Sequence, residues 1–154
     1  MQYVYRTCPC GEIKGIGADS YSLFKSVRYA QAERWESPKE ITAWNGTYDA
    51  TVPAPYCLQY NTFSSEKTAT GRFYADETVE KPAVIYSEDC QLLNIWTPPE
   101  ADRAPVLVFI HGGSYENGGG AQYDCKEFCR RGVITVTIHY RLNAHALITW
   151  LIML

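Results

Sequence analysis

The sequence predicts an α/β fold, on three observations in its second half. Residues 105–110 (PVLVFI) are an uninterrupted β-branched and aromatic run, too short for a typical helix and suited to a strand buried on both faces. Residues 133–140 (VITVTIHY) repeat that pattern. Between them, residues 123–131 place Cys125, Phe128 and Cys129 at i, i+3 and i+4, one face of a short helix. Asp124 stands near its start, Arg130 and Arg131 at its end, and Gly132 in the stop position, the asymmetry that a helix dipole and a C-cap favour. Strand, loop, helix, strand is a βαβ unit with a right-handed connection, and it predicts a largely parallel core.

The preceding elements are shorter. Gly11, Gly15 and Gly17 punctuate CGEIKGIGAD at 10–19, and residues 21–30 (YSLFKSVRYA) alternate as a half-buried strand does. Residues 38–70 are polar and turn-rich, and Pro53 and Pro55 exclude a central strand there. Residues 90–98 (CQLLNIWTP) give another strand, closed by Pro98 and Pro99.

A chain of 154 residues is one domain or part of one. With 46% hydrophobic and 20% charged residues, wholesale disorder is excluded. The formal net charge of −3 lacks the basic footprint of a nucleic-acid or anionic-membrane binder, so neither is an expected partner. The first residues, MQYVYRTC, show no charged region followed by an apolar one. No secretory signal is read, and a cytoplasmic location with reduced thiols is expected. The apolar run at 144–154 (AHALITWLIML) is well short of the ~20 residues of a membrane helix.

The strand at 105–110 runs into His111-Gly112-Gly113-Ser114, and open parallel sheets bind ligands beyond the carboxyl ends of their strands. Adjacent glycines permit positive φ, which lets successive backbone N–H groups point at one spot. Such donors stabilise the oxyanion of acyl transfer. Ser114 would give its backbone N–H, not its hydroxyl. The same residues also read as a glycine-rich turn that only reverses the chain. A serine nucleophile of this kind sits in Gly-x-Ser-x-Gly, followed in order by an acid and a histidine. That pattern occurs nowhere in the chain, and His111, His139 and His145 all precede any place for it. His139, alternating with Ile138 and Tyr140, reads as a hydrogen-bonded structural histidine. Cys8 and Cys10 flank a single proline, unlike a two-residue zinc knuckle. Cys125 and Cys129 read as helix packing residues. No metal or cofactor is expected.

Four segments, in order, resemble one family. SEDCQLLNIWTP at 87–98 resembles the Glu-Asp-Cys-Leu-x-Leu-Asn-Ile pattern of type-B carboxylesterases, which include cholinesterases and para-nitrobenzyl esterases, with Gln91 in place of a leucine. RYAQAERWESPKEITAWNGTYDAT at 28–51, PVLVFIHGGSYENG at 105–118 and GVITVTIHYRLN at 132–143 extend the match. The resemblance implies an incomplete α/β-hydrolase fold, namely its N-terminal strands and first parallel βαβ unit, acting on small carboxylic esters. It also implies oxyanion-hole N–H groups at Gly113 and Ser114 with Gly112 shaping the turn, a buried structural ion pair of Arg34 with Glu88, and a loop-closing disulfide of secreted relatives at Cys57 and Cys90. Free thiols are expected at the last two in a chain without a signal.

After residue 143 the sequence leaves the family pattern. Residues 1–143 are expected to be the N-terminal part of a carboxylesterase domain and 144–154 an off-pattern apolar tail. The whole is then a fragment ending before the nucleophile, inactive alone, with a downstream polypeptide as a complementing partner. A non-catalytic interaction module and a non-functional remnant are the alternative readings.

Overall fold

The computed structural model describes residues 2–59 and 85–144. Eleven strands lie among these residues. They are β1 (Gln2–Cys8), β2 (Gly11–Ala18), β3 (Tyr21–Arg28), β4 (Ala30–Gln31), β5 (Lys39–Glu40), β6 (Thr47–Asp49), β7 (Tyr56–Cys57), β8 (Tyr86–Ser87), β9 (Leu92–Thr97), β10 (Val106–Phe109) and β11 (Ile134–Ile138). The main sheet runs β1-β2-β3-β9-β11-β10, with β6 beside β2, and β4-β5 and β7-β8 form two small ribbons. The expected strands at 21–30, 90–98, 105–110 and 133–140 are all present in trimmed form.

Parallel pairing is narrower than the sequence suggests. β10 and β11 pair in parallel, as a βαβ unit requires, and so do β6 with β2 and β7 with β8. The other neighbours of the main sheet are antiparallel. Tight turns join β1 to β2 and β2 to β3, which makes those pairs antiparallel, and β9 enters the sheet antiparallel to both β3 and β11. Gly15 and Gly17 lie inside β2 rather than in turns. A Cβ on Gly15 would fall 2.5 Å from the Phe24 ring, so this glycine admits an aromatic core residue from the adjacent strand.

β3 bulges between Phe24 and Val27, with Ser26 at φ 57°. The irregularity is well held, because Ser26 N–H donates to Asn94 Oδ1 (3.1 Å) and Tyr48 Oη donates to the Ser26 carbonyl (2.6 Å). Registration then sorts the sheet into two faces. Leu23, Trp96, Thr135 and Leu107 lie in one row, and Phe24, Ile95, Val136 and Val108 in the row facing the other way. The first face packs on Cys125 and Cys129. The second is covered at its β2–β3 end by Trp44, Tyr48 and Ala50.

At its β10 end the second face is open. Val106, Val108 and Ile110 are 59%, 56% and 66% exposed, so the strand expected to be buried on both faces is not. β10 closes the described sheet, and among the described residues nothing pairs with its outer edge.

The helix is also shorter than 123–131. Tyr123 is extended (φ −110°, ψ 121°), its ring 4.5 Å from Phe109, and α1 spans Lys126–Arg130. Asp124 Oδ1 accepts the Lys126 N–H at 3.0 Å, a local bond that fixes the start of the helix at that point. A single turn turns only one stripe to the sheet. Cys125 and Cys129 fill it, and Phe128, expected on that face, is left exposed.

Candidate active site

The loop after β10 turns on Gly113. Its φ of 114° is followed by left-handed Ser114 (55°) and Tyr115 (61°), and Gly112 is not among the positive-φ residues. The shaping role expected of Gly112 therefore falls to the three residues after it. The Gly113 carbonyl accepts N–H groups of Glu116 (2.9 Å) and Asn117 (3.2 Å). A Cβ on Gly113 would lie 2.0 Å from the Asn117 carbonyl oxygen, and one on Gly118 2.4 Å from His111 Nδ1, so both positions exclude a side chain. Among the described residues neither the Gly113 nor the Ser114 N–H has an acceptor. Two adjacent unpaired donors beyond the carboxyl end of a parallel strand can receive a developing negative charge.

Residues far away in sequence hold this loop. The Gln59 amide pairs with the Gly118 backbone in both directions, accepting its N–H at 2.8 Å and donating to its carbonyl at 2.9 Å. Asn143 N–H donates to the Tyr115 carbonyl (2.7 Å), and its Nδ2 donates to the carbonyls of Glu116 and Leu58 (both 3.1 Å). Tyr140 Oη donates to the His111 carbonyl (2.6 Å), and the two rings stack at 4.3 Å. Sequence reasoning missed Gln59, Asn143 and Tyr140. Only Asn143 carried a signal, an asparagine at a strand exit where the backbone goes left-handed (φ 56°).

Two histidines lie behind the loop. His111 sets Nδ1 2.8 Å from the Gly112 carbonyl, and burial lowers its pKa. His139 is 1% exposed, and its ring meets Tyr56 edge-on at 5.2 Å. The hydrogen-bonded ring expected for His139 is not found: neither Nδ1 nor Nε2 has a partner among the described residues. Its backbone does the bonding, through its N–H to Leu92 and its carbonyl to the Tyr29 hydroxyl. Burial, followed by the nearby His111, pushes the ring's pKa down to about 4. His145 lies outside the described residues, as does 145–154 of the expected tail.

The other expected residues form structural contacts. Arg34 and Glu88 make a two-pronged pair, Nε to Oε2 at 2.9 Å and Nη2 to Oε1. It is not buried, since the Arg34 side chain is 61% exposed in a loop that water reaches. Beside it Arg28 makes the same fork to Asp89. Cys57 and Cys90 are buried free thiols in hydrogen-bonding contact. The Cys90 thiol and the Leu142 N–H both donate to Cys57 sulfur, which favours its thiolate, and the proton on Cys90 is held. Burial pushes Cys125 up to about 11, as befits a packing residue. Among the described residues no three His, Cys, Asp or Glu converge as metal ligands would, and no helix is long and apolar enough to cross a membrane.

The sequence profile of the carboxylesterase family matches residues 3–149. The chain belongs to that family. Carboxylesterase 3B of Mus musculus is 34% identical over 149 residues, covering 88% of this chain and 25% of that protein. Fumonisin B1 esterase of Sphingopyxis macrogoltabida is 30% identical over 139 residues, or 85% and 23% of the two chains. Among solved structures, a PNB esterase superposes with a TM-score of 0.73 at 28% identity, covering 90% of this chain and 28% of its own. A Geobacillus stearothermophilus carboxylesterase gives 0.71 at 28% identity, with 92% and 27% covered. These are α/β-hydrolase esterases, and the mixed sheet described here is an incomplete version of that fold. The chain spans about a quarter of the length of the curated relatives it matches.

Proposed function

We propose that these residues are the oxyanion-binding part of a serine carboxylesterase acting on small carboxylic esters. The Gly113 and Ser114 N–H groups would receive the carbonyl oxygen as it gains charge. The attacking serine, its histidine and its acid would come from polypeptide outside these 154 residues. The observation that carries the reading is the pair of free donors on a loop held rigid by Gln59, Asn143 and Tyr140. Preorganised donors stabilise the transition state because they need not reorient when the charge forms, and each is worth roughly 10²–10³ in rate. Two donors with no nucleophile leave little catalysis, so the chain alone is expected to be inactive.

The test is hydrolysis of para-nitrophenyl acetate by this chain alone and mixed with the remaining part of a PNB esterase. The expected result is no turnover above buffer alone and turnover on mixing, with a fluorophosphonate probe labelling only the added polypeptide. Gly113→Ala in the mixture should lower kcat at least about tenfold, provided the mixed complex still forms. Probe labelling of any serine in this chain would overturn the reading.

A further inference from the structure

The esterase reading uses neither Cys8 nor Cys10, which flank Pro9 where β1 turns into β2. Cys8 stands opposite Gly11 in the ladder, so Pro9 and Cys10 are the two residues of the hairpin turn. Proline holds its φ at about −65°, which limits the paths the chain can take between the two thiols. Both cysteines are part-exposed, and Cys8 lies near enough to Cys10 to help raise its pKa. Their thiols donate to backbone carbonyls, Cys8 Sγ to the nearby Gly11 at 3.3 Å and Cys10 Sγ to the distant Ile41 at 3.8 Å. The remaining four cysteines are all buried.

We propose that Cys8 and Cys10 form a reversible dithiol site, converted to a Cys8–Cys10 disulfide by exchange with a low-molecular-weight disulfide such as oxidised glutathione. The Cys8 thiolate attacks one sulfur of glutathione disulfide, whose S–S bond breaks and releases one glutathione. Cys10 then loses its proton to water and attacks the Cys8 sulfur of the mixed disulfide, and the second glutathione leaves. Two cysteine thiols are oxidised and one glutathione disulfide is reduced to two thiols, with the cysteine protons passing to them. The second step is intramolecular between thiols one residue apart in a fixed hairpin turn, which raises its effective concentration over free glutathione. Burial, with Cys8 beside it, keeps the proton on Cys10, which assigns the first attack to Cys8 and the resolving step to Cys10.

A ring closed across a single residue is tight, and strained or exposed disulfides are the easily reduced ones. The site should therefore follow the surrounding redox poise in both directions. Oxidation also breaks the Cys10 contact to Ile41. Because the Cys10 carbonyl accepts the Trp44 N–H (3.1 Å), the change is passed to the segment that lays Trp44 over the core.

The test is a titration of the folded, fully reduced 154-residue chain with mixtures of oxidised and reduced glutathione, followed by acid quench, alkylation, trypsin and mass spectrometry. Cys8 and Cys10 share the tryptic peptide 7–14, and none of the other cysteines lies in it. This peptide should become two hydrogens lighter and unalkylated at ratios where the buried cysteines are still alkylated, and return when reduced glutathione is restored. In Cys10→Ser, Cys8 should accumulate as a glutathione adduct. The proposal is overturned if peptide 7–14 stays alkylated at both cysteines after the buried ones oxidise. It is also overturned by glutathione adducts without an internal bridge in the native chain, or by an unmodified Cys8 in Cys10→Ser.

Discussion

His139 shows what a residue's environment adds to its position in the sequence. Alternation along 133–140 correctly turns its side chain inward, but no pattern in the sequence states what an inward ring will meet. It meets Tyr56 edge-on with His111 nearby, and among the described residues it has no hydrogen-bond partner, so the neutral form is favoured. Unfolded, the ring takes a proton near pH 6.5, and folded only near about 4. Between those values the unfolded chain binds more protons. Stability is therefore full above pH 6.5, falls as pH is lowered through the window, and levels off below about 4, with a total loss of about 3 kcal/mol. His139→Phe should flatten this dependence in urea unfolding midpoints measured from pH 7 to 4, and should not destabilise at pH 7, because it removes two unpaired buried nitrogens. The Arg34–Glu88 pair differs in another way, since the two residues meet and it is the burial implied by the resemblance that is absent. An exposed pair contributes little, so Arg34→Ala should shift the melting temperature far less than truncating the fully buried Leu142.

At the scale of elements, strands were legible wherever a run of β-branched residues met a proline or glycine, as at 105–110 and 133–140. Helix α1 was legible in its capping residues but not in its length, because the Asp124–Lys126 bond that starts it late is a matter of geometry rather than composition. The loop after β10 was half legible. Its glycines announce a turn, whereas the clamps come from residues 59 and 143, and no local window contains both. Asn143 separates two contributions to that clamp. Asn143→Ala loses the side-chain bonds to Glu116 and Leu58 and also strains a left-handed backbone. Asn143→Gly loses the same bonds without the strain. Both variants should be less stable than the parent, with the alanine form worse by about 1 kcal/mol in denaturant melts. Equal stability of the two would mean that the backbone conformation at 143 carries no cost.

For the molecule as a whole, the decisive feature is the difference between its two sheet edges. β1 carries Arg6, a charge of the kind that discourages pairing with another chain. β10 carries none from Pro105 to Ile110, and Val106, Val108 and Ile110 stand open beside an edge that no described residue pairs. In solution the 154-residue chain should therefore self-associate through β10, with a molecular mass by light scattering that rises with concentration. Val108→Lys would place an ammonium in that contact, where it loses its water without a partner. Association should weaken at least about tenfold, or about 1.4 kcal/mol, and Gln2→Lys at the far edge should change nothing. The relatives extend over three to four times the length matched here, and a polypeptide completing the sheet would use the same surface. Adding the remainder of a PNB esterase should then dissolve the self-associated form, and Val108→Lys should impair the restored hydrolysis along with the oligomer. If Val108→Lys abolished self-association yet left complementation at full strength, the two partners would be using different surfaces, and β10 could not be the strand on which the rest of the fold is built.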